Sequence, residues 1–133
     1  MTDQKLSYFF SRFVPYGFDE SKELILDFLK DEGFGLMYEI DVKDTLKEKI
    51  DVDFGKKYTI LGVCNPHMAK DALEIEDKLG IMMPCNVVVI EQPEGTEVAA
   101  VNAQMFSQII ENDRLECFAN EVRGKLRRAM QRL

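Results

Sequence analysis

Basic side chains are in deficit: 17 Lys and Arg stand against 24 Asp and Glu in 133 residues, a formal charge of −7. Phosphate backbones are held by clustered Lys and Arg, so a general nucleic-acid binder is excluded. The acidity itself speaks to solubility rather than to function. Histidine occurs once, at position 67, and no acid pair sits in an apolar run. General acid–base catalysis therefore has almost no candidates. The pairs Asp51 and Asp53, Glu74 and Glu76, and Asp19 and Glu20 read as solvated faces or caps. No apolar run approaches the ~18 residues that cross a bilayer. Met1-Thr2-Asp3-Gln4 also lacks the basic-then-apolar order of a secretory signal. Cysteine is scarce: three residues, an odd number without CxxC spacing, fit reduced thiols and a cytoplasmic setting. There is no repeat, linker or low-complexity tract. The length suits one domain, residues 1–133, and is too short for a two-lobed enzyme with a cleft between lobes.

What is present is a clean succession of patterns. Leu6 to Tyr16, with Tyr8, Phe9, Phe10, Phe13 and Val14, reads as a strand stopped by Pro15 and Gly17. From Asp19 the period changes, placing Leu24, Ile25, Phe28 and Leu29 on one helical stripe that Gly33 ends. Phe34 to Val42 alternates as a half-buried strand. Asp41 then caps a short helix carrying Val42, Leu46 and Ile50 on one face. Tyr58 to Cys64 is a strand with apolar weight on both faces. Asn65 followed by Pro66 starts a helix through Met68, Ala69, Ala72 and Leu73, with Gly80 closing the segment. Met83 to Glu91 is near-continuously apolar, as in a central strand covered on both faces. Gln92 to Gly95 is a turn, and Glu97 to Asn102 closes a hairpin. Ala103 to Ile110 reads as a short helix. Asp113 with Glu116 opens a long one as a capping box, its basic carboxyl end complementing the helix dipole.

Two strings carry the chemistry: Cys64-Asn65-Pro66, and Pro84-Cys85-Asn86 entering Val87-Val88-Val89-Ile90. Each sets a thiol and a carboxamide at a strand boundary, where a rigid sheet holds groups that a loop leaves reachable. The candidate ligand-binding set is Cys64, Asn65, His67, Cys85 and Asn86. Topology decides whether these residues meet. A right-handed crossover between parallel strands would separate the thiols by more than ~10 Å at ~3.3 Å per residue. Antiparallel strands would bring them to one rim. Asn65 doubles as a cap and His67 as a surface residue; Cys117 reads as apolar filler beside a helical stripe. A metal reading would draw on Cys64, Cys85 and His67, with Met68, Met82 or Met83 as soft extras, for copper(I) or zinc. The helix that follows Cys64 offers a reason for a lowered thiol pKa.

The strings Phe34-Gly35, Glu39-Ile40-Asp41-Val42, Leu46-Lys47-Glu48-Lys49, Tyr58-x-Ile60-Leu61-Gly62-x-Cys64-Asn65-Pro66 and Pro84-Cys85-Asn86-Val87-Val88-Val89, in this order and spacing, resemble the domain of unknown function 302 family. The match covers Pro15 to Val101, and Ala103 to Asn112 departs from the family pattern. The resemblance implies an α+β fold: a curved antiparallel sheet with helices mainly on one face, similar to the TATA-box-binding-protein class. It also implies a homodimer and favours the antiparallel topology. No activity is carried over with it, and a shared fold is no argument for DNA binding. A sheet covered on one side leaves an apolar face that a second copy can hide. The resulting expectation is a homodimeric small-ligand-binding module that does not itself catalyse a reaction. The alternative is a thiol-dependent protein that handles sulfur, redox equivalents or a soft metal.

Overall fold

The computed structural model describes residues 7–133, so the Leu6 at the predicted start of the first strand lies outside the described residues. Along the chain run β1 (Phe9–Val14), α1 (Phe18–Asp31), β2 (Gly35–Asp41), α2 (Val42–Ile50), β3 (Tyr58–Cys64) and α3 (Pro66–Ile75). A 3-10 turn (Asp77–Met82), β4 (Cys85–Gln92), β5 (Gly95–Val101), α4 (Gln104–Ile109) and α5 (Asp113–Gln131) follow. The five strands form one sheet in the order β1-β5-β4-β3-β2, and every neighbouring pair is antiparallel. The architecture is α+β, with helices packed mainly on one face.

Local chemistry sets the boundaries. Gly33, at φ 89°, ends α1: its N–H donates to the Lys30 carbonyl and that of Phe34 to Leu29, a Schellman closure. The Asp41 carboxylate accepts from the Asp44 N–H at the start of α2. The Asn65 side chain does the same for the Met68 N–H at the start of α3, with Pro66 at the first helical position. Two predicted boundaries move. α5 is capped by Asn112, which accepts from the Arg114 N–H, so Asp113 lies inside the helix. α3 stops at Ile75 because Glu76 is extended, which turns Leu79 towards Ala72 and Leu115 in a small second core.

The main core lies between the sheet and two long helices. Ile25 and Leu29 of α1 and Val122, Leu126, Ala129 and Met130 of α5 cover Leu61, Val63, Val87, Val89, Val98 and Ala100. The basic carboxyl end of α5 is more than a match for its dipole. Arg128 and Arg132 reach Glu32 and Asp31 at the end of α1, and Arg132 also lies over the Phe28 ring.

β4 is the middle strand of the sheet, as its composition predicts, but it is covered on one face only. Val87 and Val89 are fully buried while Val88 and Ile90 are half-buried, and β3 is the more buried strand. A continuous apolar run carries no mark of which face has a helix over it. No helix among the described residues is long and apolar enough to cross a membrane.

Candidate functional site

Antiparallel pairing of β3 and β4 sets Val63 opposite Cys85 and Gly62 opposite Asn86. Cys64 and Cys85 therefore share one rim of the sheet. There, Cys64, Asn65, Met68, Met83 and Cys85, with Phe106 and Phe118, wall a cavity of about 30 Å³. At roughly 10–15 Å³ for one water-sized body, that is room for two. Asn65 ties the rim to the end of α1. A Cβ on Gly33 would come 2.6 Å from the Asn65 amide nitrogen, so this position needs glycine for space as well as for its φ.

Electrostatics at the rim run against a reactive thiol. Cys85 packs on the main core, and burial, with a smaller contribution from Cys64, pushes its pKa up to about 11. Burial raises Cys64 too, correcting the expectation that the helix would lower it. Cys64 precedes the cap residue, and the dipole acts within the first turn, so desolvation prevails. Both thiols are protonated at neutral pH.

The predicted set divides. His67 is exposed at the second position of α3 and does not line the cavity. Among the described residues no three His, Cys, Asp or Glu side chains converge, so the zinc set of two cysteines and His67 is not assembled. Cys117 is exposed on α5, contrary to its reading as filler. Asn86 faces away from Cys85, because adjacent strand residues point to opposite sides of the sheet.

On that opposite, uncovered side the registers form rows across the sheet, three of which bear on the site. Asn86, Gly62 and Tyr38 form one row, towards which Phe9 and Val101 lie one residue beyond the Val87–Ala100 pair. Ser11, Ala99, Val88, Ile60 and Ile40 form the second, and Phe13, Glu97, Ile90 and Tyr58 the third. The Tyr38 ring lies over Gly62, where a Cβ would strike it, and its hydroxyl donates to Asn86 Oδ1 at 2.7 Å. Sequence reasoning passed over this Tyr–Gly–Asn row, although a glycine inside an apolar strand signals a close approach. Over Val88, Ala99 and Ile90 lies a hollow of about 420 Å³, edged by Tyr8, Phe9 and Tyr58 and bordered by Asn86 and Glu97. The Glu97 carboxylate is held by Ser11 Oγ and by Gln92 Nε2 at 2.9 Å.

Comparison with known proteins places this architecture. The family model for Domain of unknown function DUF302 matches residues 10–133. It runs through the Ala103 to Asn112 segment as well. No curated protein matches. A crystal structure of an uncharacterized conserved DUF302 protein from Bacillus stearothermophilus superposes with a TM-score of 0.89 at 28% identity. The match spans 96% of this chain and 98% of that one. The chain belongs to the DUF302 family.

Proposed function

We propose that this DUF302 member is a homodimeric small-ligand-binding module, and that the ligand lies in the hollow of the uncovered sheet face. The observation that carries the reading is the hollow itself. At about 420 Å³ it falls within the roughly 300–1,000 Å³ of small-molecule sites. Its walls are apolar and aromatic, with one fixed carboxamide, Asn86, and one fixed carboxylate, Glu97. Of the residues singled out in the sequence, Asn86 borders this hollow. Cys64, Asn65 and Cys85 belong to the rim cavity behind the sheet, and His67 to neither.

The dimer follows from where the large exposed apolar side chains lie. Tyr8, Phe9 and Phe13 crowd the β1 edge; Leu36, Met37, Ile40, Ile50, Val52 and Phe54 crowd the β2 edge and the segment after it. Two apolar ridges flanking a hollow suit a two-fold copy, in which the β1 ridge of each protomer meets the β2 ridge of the other. A cytoplasmic setting goes with three free thiols.

Sedimentation equilibrium at micromolar concentration tests the reading, using the native chain and Ala99→Arg. The expected result is a native dimer and a folded monomeric variant. Native protein at monomer mass would reject the proposal.

A second reading, the binding of a soft one- or two-atom ligand at the rim, is favoured by the sulfur-rich wall of Cys64, Cys85, Met68 and Met83. Protonated thiols weigh against it, since a thiolate is the ligating form.

A further inference from the structure

The Glu97 carboxylate stands among apolar neighbours. Phe13 lies beside it on β1 and Ile90 on β4, with Tyr58 beyond Ile90 in the same row. Both carboxylate oxygens are engaged by neutral donors, Ser11 Oγ and Gln92 Nε2. Among the described residues no Lys, Arg or His makes an ion pair with it. The nearest cation in the network, Lys56, stops at Gln92 Oε1, 3.3 Å away. The three rows named above contain no basic side chain, and Lys56 reaches the next row at Gln92 without touching Glu97.

Covering this face with a second copy would take two such carboxylates out of water. An uncompensated buried charge is strongly unfavourable, and neutral hydrogen bonds offset only part of its lost hydration. Lys56, one row on, is engaged at Gln92 Oε1, so no cation of the described residues touches the Glu97 carboxylate directly, and a cation carried by the ligand would be its direct partner once the ligand displaces the water around it. The remaining walls fix the rest of its chemistry. Val88, Ala99 and Ile90 form an apolar floor, and aromatic rings at Tyr8, Phe9 and Tyr58 suit both an aromatic body and a cationic head.

We propose that the hollow binds an organic cation with an aromatic or aliphatic body, its charge on Glu97 and its body over Ala99 and Val88, closed over by the second copy. This rests on the dimeric binding module proposed above and names its ligand class.

The test uses the full native chain with benzyltrimethylammonium and, as a probe of similar body and opposite charge, benzylsulfonate. Binding is followed by isothermal titration calorimetry, with sedimentation equilibrium on the same samples. The expected result is at least tenfold preference for the cation, at least tenfold weaker cation binding by Glu97→Gln with dimer mass retained, and loss of binding in Ala99→Leu, which fills the hollow. A dimer that binds neither probe, binds both equally, or binds the cation unchanged after Glu97→Gln overturns the ligand class and leaves the dimer standing. A monomer that binds the cation through Glu97 upholds the ligand class and rejects the closure by a second copy.

Discussion

Gly62 and Cys85 show how single positions carry the arrangement. Gly62 has no room for a side chain beneath the Tyr38 ring, so Gly62→Ala should displace the ring and break its hydroxyl bond to Asn86. The expected cost is about 1–2 kcal/mol, from lost packing and one half-exposed hydrogen bond. Urea unfolding measures it. In a Tyr38→Ala background the same substitution should cost much less, because nothing remains for the new methyl to strike. Equal costs in both backgrounds would mean that the ring does not occupy that space. Cys85 makes a prediction about pH. Its pKa rises from 9.0 in the unfolded chain to about 11 in the fold. Above pH 9 the unfolded state sheds this proton while the native state keeps it. The stability that Cys85 contributes is thus fully present below pH 9 and is lost as pH rises to about 11, on the order of 2 kcal/mol. Cys85→Ala should flatten that alkaline decline in thermal melts between pH 8.5 and 10.5. Alkylation at pH 8 should label the exposed Cys117 well before Cys85.

Neighbouring valines of β4 separate the two faces of the sheet. Val87 is fully buried beneath the helices, so Val87→Asp places an unpaired charge in the core. At about 3–5 kcal/mol against a typical 5–15, it should remove a large share of the stability and lower the melting temperature followed by circular dichroism by roughly ten degrees or more. Val88, one residue on, lies half-buried on the uncovered side, and Val88→Asp should give a folded chain. An equal loss of stability in both variants would mean that the second face is covered within one chain. Strands and helices were legible as elements because period 2 and period 3.6 are written in side chains: five strands and five α-helices occur in the order read, with the end of α3 and the cap of α5 displaced. Caps were legible at Asp41 and Asn65, but not at Asn112, which also binds its helix end, because the adjoining Asp113 and Glu116 imitate a capping box. Which face a helix covers was not legible, since α1 and α5 reach the sheet through contacts remote in sequence. The split of Cys85 from Asn86 follows from strand geometry, because consecutive strand residues cannot share a face, yet the candidate set joined them. The Tyr38–Gly62–Asn86 row needed the registers of two strand pairs.

At the scale of the whole molecule, net charge opposes and surface shape favours the second copy proposed above. With net charge −7 the chain repels its copies at long range, so association has to come from the apolar ridges at the β1 and β2 edges. If two copies meet there, unfolding is coupled to dissociation, and the melting temperature must rise with protein concentration. A tenfold increase shifts the folding equilibrium by about 1.4 kcal/mol per mole of dimer, a few degrees for a chain of this size. Between micromolar and hundred-micromolar samples the native protein should climb accordingly. Val88→Asp sets an aspartate in the middle row, two strands from either edge. It should melt lower and at a temperature independent of concentration, because dimer formation would then bury four carboxylates, two from Glu97 and two from the substitution. Added sodium chloride separates the two contributions. It should raise the native melting temperature by screening the mutual repulsion of the copies, and leave the concentration-independence of the variant untouched. A native melting temperature that does not move with concentration across that range would show that the exposed ridges serve something other than a second copy.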